Sequence, residues 1–274
     1  MSNKSKEVVI VNAIRTPIGK YRGSLKNMRS DQMGSVVIKE VLKKSKFVNE
    51  EIDEVIMGQV LTTGTGQNPA RQAAVNAGIP ISKPAHIINQ VCGSGLRAVI
   101  SGYQSIKLGE SNNVISGGQE SMSLAPHSIF YRDEKKLSED KLLDTMVNDG
   151  LIDAFNNYHM GVTAENVAKK FNITRQEQDE FAFNSQKKTE LAITNNKFNE
   201  ELVKINHNGN ILDIDEHPRI GLKMSDLEKL KTVFQDKGTI TPGNSSGIND
   251  GAAALLLSSL DEVKKKSIKP LAKI

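Results

Sequence analysis

The 274-residue chain carries 36 Lys and Arg against 32 Asp and Glu, a formal charge of +4, and a single cysteine. Its length suits one large domain, or one core with a sizeable insertion. The mildly basic balance has no dense basic block interleaved with aromatics, which argues against a nucleic-acid partner; one cysteine excludes an internal disulfide framework and fits a reducing cytoplasm.

The N-terminal MSNKSKEVVIVNAIRTP holds an apolar run too short for a signal peptide, and no stretch of about 18 uncharged apolar residues follows, so a soluble, cytoplasmic protein without membrane association is expected. EVVIVNAI (7–14) reads as a strand, and MGSVVIKEVLKKS (33–45) then spaces its apolar residues as a helix does. DEVIMGQVL (53–61) with NPARQAAVNAG (68–78), and PAHIINQV (84–91) with CGSGLRAVISGYQSIKLG (92–109), repeat that order. NNVISGGQESM (112–122) supplies a fourth strand with a glycine pair. The βαβ repetition predicts an α/β fold, a mostly parallel sheet covered by helices on both faces. Ligands of such sheets bind beyond the carboxyl ends of strands, where Cys92, Gly117 and Gly118 fall.

From about Ser121 the rhythm breaks. Helical patterns in SEDKLLDTMVNDGLIDAF (138–155), GVTAENVAKKF (161–171) and TRQEQDEFAFNSQKKTELAIT (174–194) are joined by polar loops, with little that reads as a buried parallel strand. Thr174 with Glu177 three residues on forms a capping-box signature. The expected plan is a core over 1–121, an inserted mainly helical domain over 122–249, and a return to the core over 250–270, with PLAKI starting a further strand.

Cys92 has two readings, a small apolar filler or a nucleophile. It follows a hydrophobic strand and opens a helix, where free N–H groups and the positive end of the dipole stabilise a thiolate. Gly93 and Gly95 leave room for a substrate carbonyl, and the Cys92 N–H can face a developing oxyanion. These features favour the nucleophile.

A thiol nucleophile normally has a proton acceptor. His86 falls inside an expected central strand as a core residue, and His207 and His217 fall in polar loops at the surface. His127 and His159 remain; His159, beside Tyr158 and Met160 and ahead of a helix, suits the lining of a pocket for a long ligand. Spacing alone does not make it the base. No HxxxH, CxxC or carboxylate cluster has metal-ligand spacing, and TTGTGQNPAR lacks the lysine of a phosphate loop.

NQVCGSGLRAV, GGQESMSLAP, YHMGVTAENVA and TPGNSSGINDGAAALLL, with VIVNAIRTPIGKYRGSLK and GQNPARQAA, occur in an order and at separations that resemble the thiolases, in particular the biosynthetic acetoacetyl-CoA type. The resemblance covers essentially the whole chain. It implies that Cys92 takes an acyl group from one acyl-CoA and passes it to the carbanion of a second acetyl-CoA, giving acetoacetyl-CoA and CoA reversibly. It implies that His159 and Met160 line the pantetheine and thioester, that Ser246 with Gly243 and Gly247 holds the pantetheine, and that Arg219 lies near the adenine end. CoA and its thioesters are then substrates, with no resident cofactor or metal, and the family member is a homo-oligomer. Pro242 and Asp226 depart from the alanine and serine common at their positions.

The family's GHP, CxGxG and NEAF segments, which carry the base, the α-proton shuttle and one oxyanion hole in a second half of similar fold, do not occur in these 274 residues. The chain is therefore expected to be a fragment incomplete for turnover, exposing an apolar face that the second half covers. Alternatives are an inert CoA-binding or oligomer-interface remnant, or a thiolase-like enzyme condensing malonyl groups.

Overall fold

The computed structural model describes residues 6–132, 142–207 and 209–274. The chain opens with β1 (Val8–Arg15), the short β2 (Gly19–Lys20) and α1 (Ser30–Lys43), whose Met33, Val37, Ile38, Val41 and Leu42 are buried at helical spacing. Next come β3 (Glu54–Gly58), α2 (Pro69–Asn76), β4 (Ala85–Ile88), α3 (Ser94–Leu108) and β5 (Asn113–Ser121). Asn68 starts α2 by accepting the Arg71 N–H at 3.1 Å, with Pro69 in the first turn. Gly109, at φ 82°, ends α3 and lets Glu110 N–H bond back to the Ser105 carbonyl at 3.0 Å.

Beyond β5 lie β6 (His127–Ser128), β7 (Leu143–Asp144), α4 (Thr145–Gly150), α5 (Met160–Phe171), α6 (Arg175–Thr194), β8 (Ile205–His207), β9 (Asn210–Leu212) and α7 (Met224–Glu228). The chain closes with β10 (Asn249–Ser259), α8 (Leu260–Lys265) and β11 (Ala272–Lys273). The capping box forms: Glu177 N–H donates to the Thr174 hydroxyl at 3.2 Å, and Thr174 N–H donates to the Glu177 carboxylate at 2.7 Å. Of the helix expected over 138–155, residues 138–141 lie outside the described ones and the rest shortens to α4. Asp144 caps that helix by accepting the Met146 N–H at 2.9 Å, and the helix ends at Gly150.

The main sheet runs β11-β1-β10-β5-β3-β4, with β2 also paired to β10. Only β3 pairs in parallel, with β4 and β5; the pairings of β1 and β10 are antiparallel. The sheet is therefore mixed rather than mostly parallel. Strand β10 returns from the insertion and enters between β1 and β5, running against both. A continuous apolar run reports burial on both faces, not strand direction. The edge position of β4 also overturns the expectation for His86, which is exposed with its Nδ1 3.3 Å from the Glu54 carboxylate.

Side-chain alternation divides the core between the two faces of the sheet. Val55, Met57, Ile115 and Leu256 join α1 and α2 in one cluster, whereas Ile56, Val114 and Leu257 join Ala98 and Ile106 of α3 in the other. Helix α3 lies close on the sheet because Gly102 has no side chain: a Cβ there would stand 2.4 Å from the Ser116 Oγ. The opposite side of α3 is apolar and open, with Leu96 69% and Leu108 71% exposed.

By backbone contacts the chain forms two compact units. The first comprises Met1–Ala125, Glu201–Ile214 and Asn249–Ile274, and the second Pro126–Glu200 and Asp215–Ile248. The β8–β9 hairpin thus belongs with the sheet, in whose core Ile205 and Leu212 are buried. His207 ends β8 and is half-buried, not a surface loop residue. Among the described residues no helix is long and apolar enough to cross a membrane.

Candidate functional site

Cys92 stands in the sharp turn between β4 and α3, and it is exposed. The turn is made by Val91 at φ 48°, a left-handed conformation that costs a β-branched residue about 1–3 kcal/mol unless its surroundings impose it. They do. Val91 N–H donates to the Asn89 side chain at 2.9 Å, and the Ser94 hydroxyl donates to the Val91 carbonyl at 2.5 Å while accepting Gln90 N–H at 2.9 Å. Gly93 N–H closes the turn on the Gln90 carbonyl at 3.0 Å.

Glycines let the start of α3 rest on the strand ends. A Cβ at Gly58 would fall 2.4 Å from the Ser94 carbonyl carbon and 2.5 Å from the Gly95 nitrogen, whereas one at Gly118 would only touch the Gly95 Cα at 3.5 Å. The result is an open pocket of about 350 Å³ lined by Cys92, Gly58, Val60, Gly95, Glu120 and Asp250, among others. Among the described residues no histidine lines it.

The pocket's carboxylates come from adjacent antiparallel strands, with Glu120 opposite Gly251 and Asp250 opposite Ser121. Glu120 accepts N–H bonds from Val60 at 2.8 Å and Leu61 at 3.1 Å. Burial nevertheless raises its pKa above the usual carboxylate value, and the nearby Asp250 charge adds to that rise against the two bonds. Asp250 accepts the Ser123 N–H at 2.9 Å.

The other candidates lie in the second unit. His159 is the N-cap of α5, its Nδ1 accepting Gly161 N–H at 3.0 Å, so the neutral ring assigned by that bond carries its proton on Nε2. A ring so engaged presents a donor, not a base. It stacks on Phe234 with centroids 4.8 Å apart and planes at 21°. Gly161 makes room, since a Cβ there would lie 2.2 Å from the Phe234 ring. Met160 is exposed beside it.

Gly243 fits against Leu227, whose Cδ2 is 2.5 Å from where a Cβ would stand. Ser246, Gly247 and Arg219 are exposed, and Arg219 N–H is held by Gln186 at 2.9 Å. Asp226 accepts the Lys223 N–H at 3.1 Å and so starts α7. His217 is half-buried rather than at the surface; burial and then the Arg219 charge lower its pKa. Among the described residues no group of His, Cys, Asp or Glu could hold a metal.

Sequence reasoning passed over Glu120, Asp250 and Phe234. Glu120 and Asp250 lie 130 positions apart, and only strand register makes them neighbours. Phe234 had one local signal, the glycine of YHMG, which admits a ring against the helix start.

The chain matches the thiolase N-terminal domain over residues 8–261. It is 47% identical to an acetyl-CoA acetyltransferase of Paracoccus denitrificans, covering 98% of this chain and 70% of that protein. It is 48% identical to a cytosolic acetyl-CoA acetyltransferase of Mus musculus, covering 100% of this chain and 70% of the relative. The crystal structure of the Bacillus anthracis acetyl-CoA acetyltransferase superposes with a TM-score of 0.95 at 37% identity, over 100% of this chain and 70% of the other. With a family match over most of its length and relatives near half identity, this chain belongs to the thiolase family.

Proposed function

We propose that Cys92 is the acyl acceptor of an acetyl-CoA C-acyltransferase, and that the second unit holds the CoA moiety through His159, Met160, Arg219, Gly243, Ser246 and Gly247. The Cys92 sulfur attacks the thioester carbonyl of acetyl-CoA, the Cys92 N–H stabilises the oxyanion, and the CoA thiolate leaves with the proton that the thiol releases. In the second half-reaction the α-carbon of another acetyl-CoA, once deprotonated, attacks the acetyl-cysteine and frees Cys92 as acetoacetyl-CoA forms.

The observation that carries this reading is the strained turn that holds the only thiol outward over a pocket beyond the strand ends. The condensation also needs a base for the α-proton, and positioned acid/base groups contribute about 10² to 10⁴ in rate. With no histidine in the pocket and Nδ1 of His159 engaged as a cap, the 274 residues accept one acetyl group without sustained turnover.

Intact mass spectrometry after incubation with acetyl-CoA tests this, alongside a thiolysis assay with acetoacetyl-CoA. One acetyl adduct, absent in Cys92→Ser and without multiple turnover, is the expected result. No adduct would favour an inert CoA-binding remnant, and sustained turnover would mean that a group within the chain takes the α-proton.

A further inference from the structure

The loop over 239–247 is fixed by two buried carboxylates on neighbouring helices. Glu165 of α5, only 6% exposed, accepts the N–H of Thr239 at 2.8 Å, that of Ile240 at 2.8 Å and the Thr239 hydroxyl at 2.9 Å. Gly238 admits the carboxylate, since a Cβ there would lie 2.3 Å from the Glu165 Oε1. Asp179 of α6, 2% exposed, accepts the Asn244 side-chain amide at 2.9 Å on one oxygen and the Arg175 guanidinium at 2.6 Å on the other. Arg175 in turn donates to the carbonyls of Leu227 at 2.7 Å and Leu230 at 3.1 Å, the two leucines against which Gly243 fits.

Asn244 ties these anchors together. Its amide also donates to the Thr239 carbonyl at 3.1 Å and its oxygen accepts Thr241 N–H at 2.8 Å, while the Ser245 hydroxyl donates to the Thr241 carbonyl at 2.8 Å. Backbone that would otherwise exchange its hydrogen bonds with water is thus held in one shape, with Ser246 and Gly247 left exposed at its end.

We infer that Glu165 and Asp179 are positioning residues that clamp this loop in the shape that receives the pantetheine arm, an inference that rests on the CoA reading above. Neither carboxylate needs to touch the ligand. Preformed loop geometry removes an ordering cost from binding, so releasing a clamp weakens CoA without deleting a contact. Glu165→Gln tests it most directly, because the amide offers one acceptor oxygen, and its NH₂ faces N–H donors.

The experiment is amide hydrogen exchange and calorimetric CoA titration on the 274-residue chain, with a thermal scan as control. Faster exchange confined to residues 239–245 in Glu165→Gln, with about tenfold weaker CoA binding, supports the clamp. Asn244→Ala should do the same at the Thr241 amide. Unchanged exchange at Thr239 and Ile240 overturns the clamp, as does exchange that rises across α5 and α6 alike, which marks a purely structural role. Faster loop exchange with unaltered CoA affinity overturns its link to the ligand. If the parent chain does not bind CoA at all, the CoA reading fails, and the exchange arm still decides the clamp. Should Glu165→Gln not fold, Thr239→Val removes the hydroxyl that donates to Glu165 and that accepts the Gln178 side-chain amide at 3.0 Å, leaves both backbone N–H bonds to Glu165, and carries the same expectations at smaller amplitude, with Gln178→Ala as the control for the second bond.

Discussion

Ser94 holds Val91 in its left-handed conformation: the hydroxyl at the start of α3 donates to the Val91 carbonyl, while Gln90 N–H donates to the same hydroxyl. Ser94→Ala leaves the Gln90 N–H without that partner and lets Val91 relax. A loss of about 1–3 kcal/mol is expected in urea unfolding, together with slower iodoacetamide labelling of Cys92 as the thiol loses its fixed position. Unchanged labelling at reduced stability would separate the turn from the reactivity of the thiol.

Two glycines near Cys92 differ in the space around them. Gly58→Ala drives a methyl group into the Ser94 backbone at 2.4 Å and is expected to cost about 3 kcal/mol in denaturant titration. Gly95→Ala meets nothing closer than the Gly117 carbonyl at 4.0 Å and lies in the first turn of α3, so its stability should stay within about 0.5 kcal/mol of the parent. The Gly95 variant should nevertheless slow acetylation of Cys92, because that glycine lines the thiol's pocket.

Half-buried Glu120 of the first unit and buried Glu165 of the second titrate in opposite senses. Glu120 has a folded pKa above its ordinary 4.5, so it binds more protons when folded; its contribution to stability is complete below pH 4.5 and is lost as pH rises through the folded value. Parent stability should therefore fall relative to Glu120→Gln as pH rises above 4.5. At Glu165, burial acts to raise the pKa, but the bonds from Ile240 and Thr239 outweigh it and the net shift is downward. Its contribution is present above pH 4.5 and disappears as pH falls through the folded value. Urea titrations of both Gln variants across pH 3.5–7.5 check the signs, and parallel slopes would refute the assignment.

His159 caps α5 and stacks on Phe234, and the two roles separate by substitution. His159→Ala should cost about 1 kcal/mol from the lost cap, and His159→Asn should recover most of it, since asparagine is a strong N-cap residue. Neither variant stacks on Phe234. If the pocket reading holds, both should bind CoA more weakly in titration, and Asn restores the fold without restoring the ligand.

The sequence by itself determined much of this protein. Helix α1, the capping box at Thr174 and Glu177, the glycine stop of α3 and the thiol at a strand-to-helix turn are local events, set by spacing, caps and backbone freedom within a few residues. The position of Cys92 between β4 and α3 and that of His159 ahead of α5 are local for the same reason. Only the tertiary structure decided how β10 enters the sheet, and with it the mixed topology, the edge position of His86 and the meeting of Glu120 with Asp250. Strand direction and register depend on pairing between segments more than a hundred residues apart, and periodicity within each segment reports only which faces are buried. The Glu165 and Asp179 clamps were hidden likewise, since a charge on a helix reads as a solvated face until the loop that it holds folds over it.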